Sequence, residues 1–268
     1  YQSLSLHPQI WTPPVKELHY FNFLSRAPSV FAFAQEPLMR FHTNLMLRRV
    51  ARKARRGEDI RWHLQYLFLP RSHRWYSSLF QPRPGQVAGE MTPDYCILDA
   101  AVVKEVNQLM PDTKIVYMLR DPIDRTWSQA NRKYRRLWAK GAHADEKILH
   151  TFMSAEHPHQ RSSYCNTLQI WEEFFPKQQI FVGFFEQITT DPVRLLKDIA
   201  AFLDVDSEDP CLSSPSVART VNPGSKRHLP KHWGRFLAQR YYDQTACIHR
   251  RFNNQSTANW LAHAQQYL

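Results

Sequence analysis

Glycine is scarce in this chain: seven in 268 residues. There is no low-complexity tract and no internal repeat, so no flexible interdomain linker or solenoid is indicated. No run of about 18 apolar residues occurs, which excludes an evident membrane-spanning helix, and no secretory signal is visible. Cysteine is sparse too. Cys96, Cys165, Cys211 and Cys247 are widely spaced with no C-x-x-C pair, which argues against a zinc site or a dense disulfide framework. The default expectation is buried free thiols in a reducing compartment, with a single long-range disulfide as the alternative in a secretory setting. Neither an RNA-recognition aromatic motif nor zinc-finger spacing is present, so specific nucleic-acid binding ranks last among the functions considered.

What is present is a folded, basic protein. Hydrophobic residues make up 43% and aromatics 13%, and Lys plus Arg exceed Asp plus Glu by 35 to 24, a net charge of +11. Such an excess suits acidic partners: a phosphorylated nucleotide, an anionic glycan or nucleic acid. Basic residues crowd the segment 37–57, a predicted helix, at Arg48, Arg49, Arg52, Lys53, Arg55 and Arg56.

Two apolar runs, KIVYML (Lys114–Leu119) and QIFVGFF (Gln179–Phe185), have the length and the β-branched and aromatic content of buried parallel strands. Each leads into a helix opened by an aspartate and a proline, Asp121-Pro122 and Asp191-Pro192. Apolar stripes follow, Trp127/Ala130/Tyr134/Leu137 in the first helix and Leu195/Leu196/Ile199/Phe202/Leu203 in the second. A further helix is predicted from Asp99 to Met110, and helices again from Pro230 onward. The stretch QPRPGQVAGE (Gln81–Glu90) reads as a loop entering a short strand. Strands alternating with helices imply an α/β protein: three layers, with a central parallel sheet flanked by helices. Ligands in such folds gather at the carboxyl ends of strands, where Arg120 and Glu186 fall.

The junction after the first strand suits an anion, although on spacing alone the favoured alternative is that Arg120 pairs with Asp121 or Asp124 and Ser128 is an ordinary helix-surface residue. Asp121, Arg125, Ser128 and Arg132 recur every three or four residues and share a helix face, and Arg120 closes the strand before them. A guanidinium fork, a hydroxyl and a helix N-terminus together suit a phosphate or a sulfate.

The run Leu119-Arg120-Asp121-Pro122-Ile123-Asp124-Arg125-Thr126-Trp127-Ser128 resembles the L-R-D-P-x-x-R-x-x-S motif of sulfotransferases that use 3′-phosphoadenosine 5′-phosphosulfate (PAPS). HPQIWTPPVKELHYF (His7–Phe21), WYSSLF (Trp75–Phe80), GEMTPDY (Gly89–Tyr95), FFEQITTDPVRLLKDIAAFLDV (Phe184–Val205) and VNPGSKRHLP (Val221–Pro230) are similar to further segments of that family, in its order. The similarity is greatest to the bacterial and glycan-type branch.

The resemblance implies a single P-loop-kinase-like sulfotransferase domain over 1–268. It implies transfer of a sulfuryl group from PAPS to a hydroxyl or amine of a small-molecule or glycan acceptor, with 3′,5′-ADP released and no metal required. It implies that Arg120 and Ser128 hold the 3′-phosphate and that Ser225, Lys226 and Arg227 lie in a loop over the cofactor. Glu17 would be the general base, its pKa raised by burial, with Lys16 and His19 lining the reaction centre. Asn22 stands where relatives commonly carry an acid. The family's Gly/Thr-rich 5′-phosphosulfate loop belongs upstream of Tyr1, so the expectation is an N-terminally truncated chain with weak PAPS binding. The competing class is a non-catalytic, nucleotide- or polyanion-holding module. A nucleotide kinase is the rival at the level of fold. A cytoplasmic location is expected, with the Golgi lumen as the alternative for a eukaryotic glycan-type enzyme.

Overall fold

The computed structural model describes residues 3–24, 47–48, 50–54, 56, 59–139, 146–215, 217 and 227–268. Arg49, Arg55, Ser225 and Lys226 lie outside the described residues, so their expected roles gain no structural account; Arg48 and Arg52 are exposed on a helical stretch. The chain divides into two compact units, Tyr1–Pro111 and Asp112–Leu268.

In the first unit, β1 (Ile10–Trp11) pairs in parallel with β2 (Val87–Ala88). The unit also holds the helices α1 (Tyr20–Leu24), α2 (Arg61–Phe68), α3 (His73–Ser78) and α4 (Ala100–Leu109). As the residue pattern predicts, β2 lies inside the Gln81–Glu90 loop, and α4 is opened by Asp99, whose carboxylate accepts from Val102 N–H at 2.9 Å. The core is strongly aromatic. Tyr20, Phe21, Trp62, Tyr66, Trp75 and Tyr76 are all buried, and Tyr20 stacks on Tyr76 at 4.7 Å between centroids.

In the second unit, β3 (Ile115–Leu119) and β4 (Ile180–Phe184) pair in parallel from Ile115↔Ile180 to Leu119↔Phe184. β3 begins one residue later than its apolar run and β4 is a residue shorter at each end, and most of their side chains are half-buried; Leu119, Gly183 and Phe184 are the buried positions. The helices are α5 (Pro122–Ala139), α6 (Glu146–Ser154), α7 (Glu156–Gln160), α8 (Tyr164–Phe174), α9 (Gln187–Thr190), α10 (Pro192–Phe202), α11 (Lys231–Phe252) and α12 (Gln255–Gln265).

Two apolar clusters organise this unit. One joins Ile123, Trp127 and Ala130 of α5 to Leu149, Phe152 and Met153 of α6 and to Trp233, Leu237, Ala238 and Tyr241 of α11. The other gathers Leu119, Tyr164, Leu168, Phe184, Ile248 and Trp260, so α8, α11 and α12 all pack on the two strand ends. Here the expectation of free thiols is corrected: Cys165 of α8 and Cys247 of α11 form a disulfide. Both residues sit beside members of the second cluster, Tyr164 and Ile248, and this packing brings two sequence-distant thiols together. Cys96 and Cys211, both half-buried, are not disulfide-bonded.

Candidate active site

In the first unit the chain from Lys16 to His19 is folded by its own environment. Glu17 (φ 66°) and His19 (φ 56°) both adopt the left-handed conformation, uncommon for residues with a side chain. Between them Leu18 is fully buried. Glu90 holds the segment in place. Its carboxylate accepts from Leu18 N–H at 3.2 Å, and from the hydroxyls of Thr92, Tyr76 and Tyr95, each at 2.7 Å. His19 N–H in turn donates to Thr92 Oγ1 at 3.4 Å. Glu90 is therefore the anchor of this loop, and four donors use up its accepting capacity.

The functional candidates point elsewhere. Glu17 keeps a partly exposed carboxylate, 3.7 Å from Lys16 Nζ and 3.6 Å from His19 Nε2. Asn22 fixes the histidine: its Nδ2 donates to the Asp94 carbonyl at 2.9 Å, so its Oδ1 faces His19 Nδ1 at 3.2 Å. Nδ1 therefore carries a hydrogen, and Nε2 is the atom left to Glu17.

The contact with His19 lowers the Glu17 pKa, against burial, and Lys16 lowers it further. This corrects the expectation that burial raises it. Glu17 is therefore held in its ionised form, as a weaker base than a carboxylate raised toward neutrality. Burial disfavours the His19 cation, but Glu17 and Asn22 together carry its pKa above the ordinary value.

In the second unit the strand–helix junction has the predicted N-cap. Asp121 Oδ1 accepts from Ile123 N–H at 2.8 Å and from Asp124 N–H at 3.4 Å. Its Oδ2 accepts from His263 Nδ1 at 2.7 Å. Arg120 follows β3; its carbonyl accepts from the Tyr164 hydroxyl at 2.6 Å, and its guanidinium lies over the Phe185 ring at 4.4 Å. It makes no ion pair among the described residues, although Asp121 is its neighbour. Ser128, two turns into α5, is half-buried and its hydroxyl takes part in no hydrogen bond among the described residues. An unpaired guanidinium and an uncommitted hydroxyl beside a helix N-terminus fit an anion well.

The shared face predicted for α5 divides in function. Arg125 is structural: its Nε donates to Ser162 Oγ at 2.7 Å, and its guanidinium also reaches Gln129 and the Pro158 carbonyl. Arg132 is exposed. Arg227, the described residue of the late basic loop, is itself exposed, and its carbonyl accepts from Trp127 Nε1 at 3.0 Å, which ties that chain to α5 next to Ser128.

Glu186 follows β4; Oε1 accepts from Trp260 Nε1 at 2.7 Å, whereas Oε2 is buried with no partner among the described residues. Tyr164, Trp260 and His263 escape sequence reading. Each lies on a helix whose residue pattern marks no site, and its partner is 44, 74 or 142 residues away.

The chain is similar to known proteins in part of its sequence and in its fold. Residues 102–221 match the family model for the sulfotransferase domain. The crystal structure of a sulfotransferase from Alicyclobacillus acidocaldarius is similar, with a TM-score of 0.63 and 20% sequence identity, covering 96% of this chain and 91% of that chain. No curated protein sequence matches. The stretch bearing the Arg120–Ser128 junction thus matches the sulfotransferase domain, and the chain has the α/β sulfotransferase fold.

Proposed function

We propose that this protein is a PAPS-dependent sulfotransferase that moves a sulfuryl group to a hydroxyl or amine of a small-molecule or glycan acceptor and releases 3′,5′-ADP. The observation that carries this reading is the unpaired Arg120 guanidinium at the end of β3, with the free Ser128 hydroxyl two turns into the next helix. In the proposed roles these two bind the 3′-phosphate of the donor, and Arg227 belongs to the chain over the cofactor. Glu17 takes the acceptor proton as the oxygen or nitrogen attacks sulfur. Lys16 offers positive charge to the sulfuryl oxygens, and His19, held by Asn22, orients the Glu17 carboxylate. The Cys165–Cys247 disulfide favours an oxidising compartment such as the Golgi lumen over the cytoplasm.

The test is transfer from labelled PAPS across a panel of acceptors. Turnover should fall at least about a hundredfold in Glu17→Gln, the usual scale for loss of a general base, while 3′,5′-ADP binding is unchanged. Wild-type turnover in that variant removes Glu17 from the role of base. Tight 3′,5′-ADP binding with no transfer to any acceptor class would favour a non-catalytic nucleotide-holding module.

A further inference from the structure

Arg120 stands among acids and is paired with none of them. Asp121 adjoins it in sequence. Glu186 follows Phe185, the residue whose ring lies under the guanidinium. The Asp124 carboxyl, pushed up first by burial and then by Asp121, also senses Arg120, His263 and Glu186, so these groups form one electrostatic cluster. An arginine in such company ordinarily forms a bidentate carboxylate pair. Here one oxygen of Glu186 and one of Asp121 instead face hydrogen-bond donors of a single helix.

Trp260 and His263 lie three residues apart on α12, on the same helix face. Trp260 Nε1 donates to Glu186 Oε1 at 2.7 Å, and His263 Nδ1 donates to Asp121 Oδ2 at 2.7 Å. The first is the sole hydrogen bond to the Glu186 carboxylate among the described residues, since its other oxygen has no partner. The second occupies the one Asp121 oxygen left over from capping α5. The hydrogen bond to Asp121 raises the His263 pKa over the opposing effect of burial.

The clamp itself is firmly seated. Trp260 packs on Phe184 at 5.7 Å and on Tyr164 at 6.5 Å, and Tyr164 is the residue that holds the Arg120 carbonyl. Gly234 of α11 makes room for the Tyr267 ring just past α12: a Cβ there would lie 2.1 Å from it.

We propose that the C-terminal helix α12 is a positioning element that withholds the two strand-end carboxylates, Asp121 and Glu186, from Arg120 and so keeps its guanidinium available to an anionic ligand. The proposal rests on the anion-site reading of Arg120. It assigns Trp260 and His263 an action through Arg120 rather than any contact with ligand. An unshielded carboxylate near a guanidinium competes with a phosphate for the same donors.

The experiment is calorimetric titration of the full-length protein with 3′,5′-ADP. Trp260→Phe keeps the ring and its packing but removes the donor; His263→Ala removes the second donor. Each should weaken binding about tenfold, which is ~1.4 kcal/mol. The decisive arm adds a second change that removes the released charge. Trp260→Phe with Glu186→Gln, and His263→Ala with Asp121→Asn, should both return to within about twofold of the unaltered protein, since asparagine still caps a helix and glutamine is neutral. A purely structural role for α12 predicts no such recovery.

Arg120→Ala separates the two levels of inference. If it weakens binding while Trp260→Phe and His263→Ala do not, or if the paired changes fail to restore affinity, the shielding role is wrong and the anion site stands. If Arg120→Ala binds as tightly as the unaltered protein, or the unaltered protein binds no 3′,5′-ADP, both readings fall together.

Discussion

At the scale of single residues, the reactive candidates are distinguished by what their neighbours leave free. Glu90 is fully engaged, whereas Glu17 touches a lysine and a histidine at ion-pair distance and keeps solvent access. A lowered carboxyl pKa means the Glu17 charge stabilises the fold above the ordinary carboxylate range and that contribution is lost as pH falls through the native value. The raised His19 pKa works in the other direction, stabilising below the ordinary imidazole value and lost as pH rises through the native one. The pair is therefore complete between those two limits. Replacing His19 by Gln removes the chief cause that holds Glu17 down, so the acid limb of kcat/KM should move to higher pH in a pH–rate profile. An unmoved limb would show that the titrating group is not Glu17. The Lys16-Glu17 dipeptide could be picked out in the sequence, but its left-handed backbone could not, because no glycine or asparagine marks the positions.

At the scale of elements, the legible features were those with a local signature. The two parallel strands, the Asp-Pro helix starts and the C-terminal helices all follow from short-range patterns, and they stand within a residue or so of their expected limits. Polar bonds between distant elements leave no period to read, which is why the grip of α12 on Asp121 and Glu186 came only with the structure. The close approach of α11 to the C-terminal turn has a sharp consequence. Gly234 is buried in the first turn of α11, at a helical position where alanine is ordinarily favoured. Here an added methyl meets the Tyr267 ring at 2.1 Å, and the ring must move. Gly234→Ala should therefore destabilise by about 1–3 kcal/mol, the usual cost of overpacking, and lower Tm by several degrees in a thermal melt. A raised Tm would mean the ring moves aside at no cost and that α12 is held by its other contacts alone.

At the scale of the whole molecule, the charge of +11 shows a preference for anions without naming one. The choice among anions comes from one junction, where a strand ends in Arg120 and a helix carries Ser128. The disulfide joins α8 and α11 across 82 residues of chain, an interval for which chain-entropy arguments give about 4–5 kcal/mol. A single long-range disulfide was the alternative to free thiols, but four scattered cysteines carry no pattern that names the pair. It braces the same helices that support the strand ends. The central claim is that Arg120 and Ser128 read a 3′-phosphate, and the most direct measurement compares the affinity of 3′,5′-ADP with that of 5′-AMP, which lacks only that group. The unaltered protein should prefer 3′,5′-ADP by at least about a hundredfold, or ~2.7 kcal/mol. Arg120→Ala should lose most of that preference and Ser128→Ala part of it. Equal affinity for the two nucleotides, or a preference that survives both substitutions, would contradict the account.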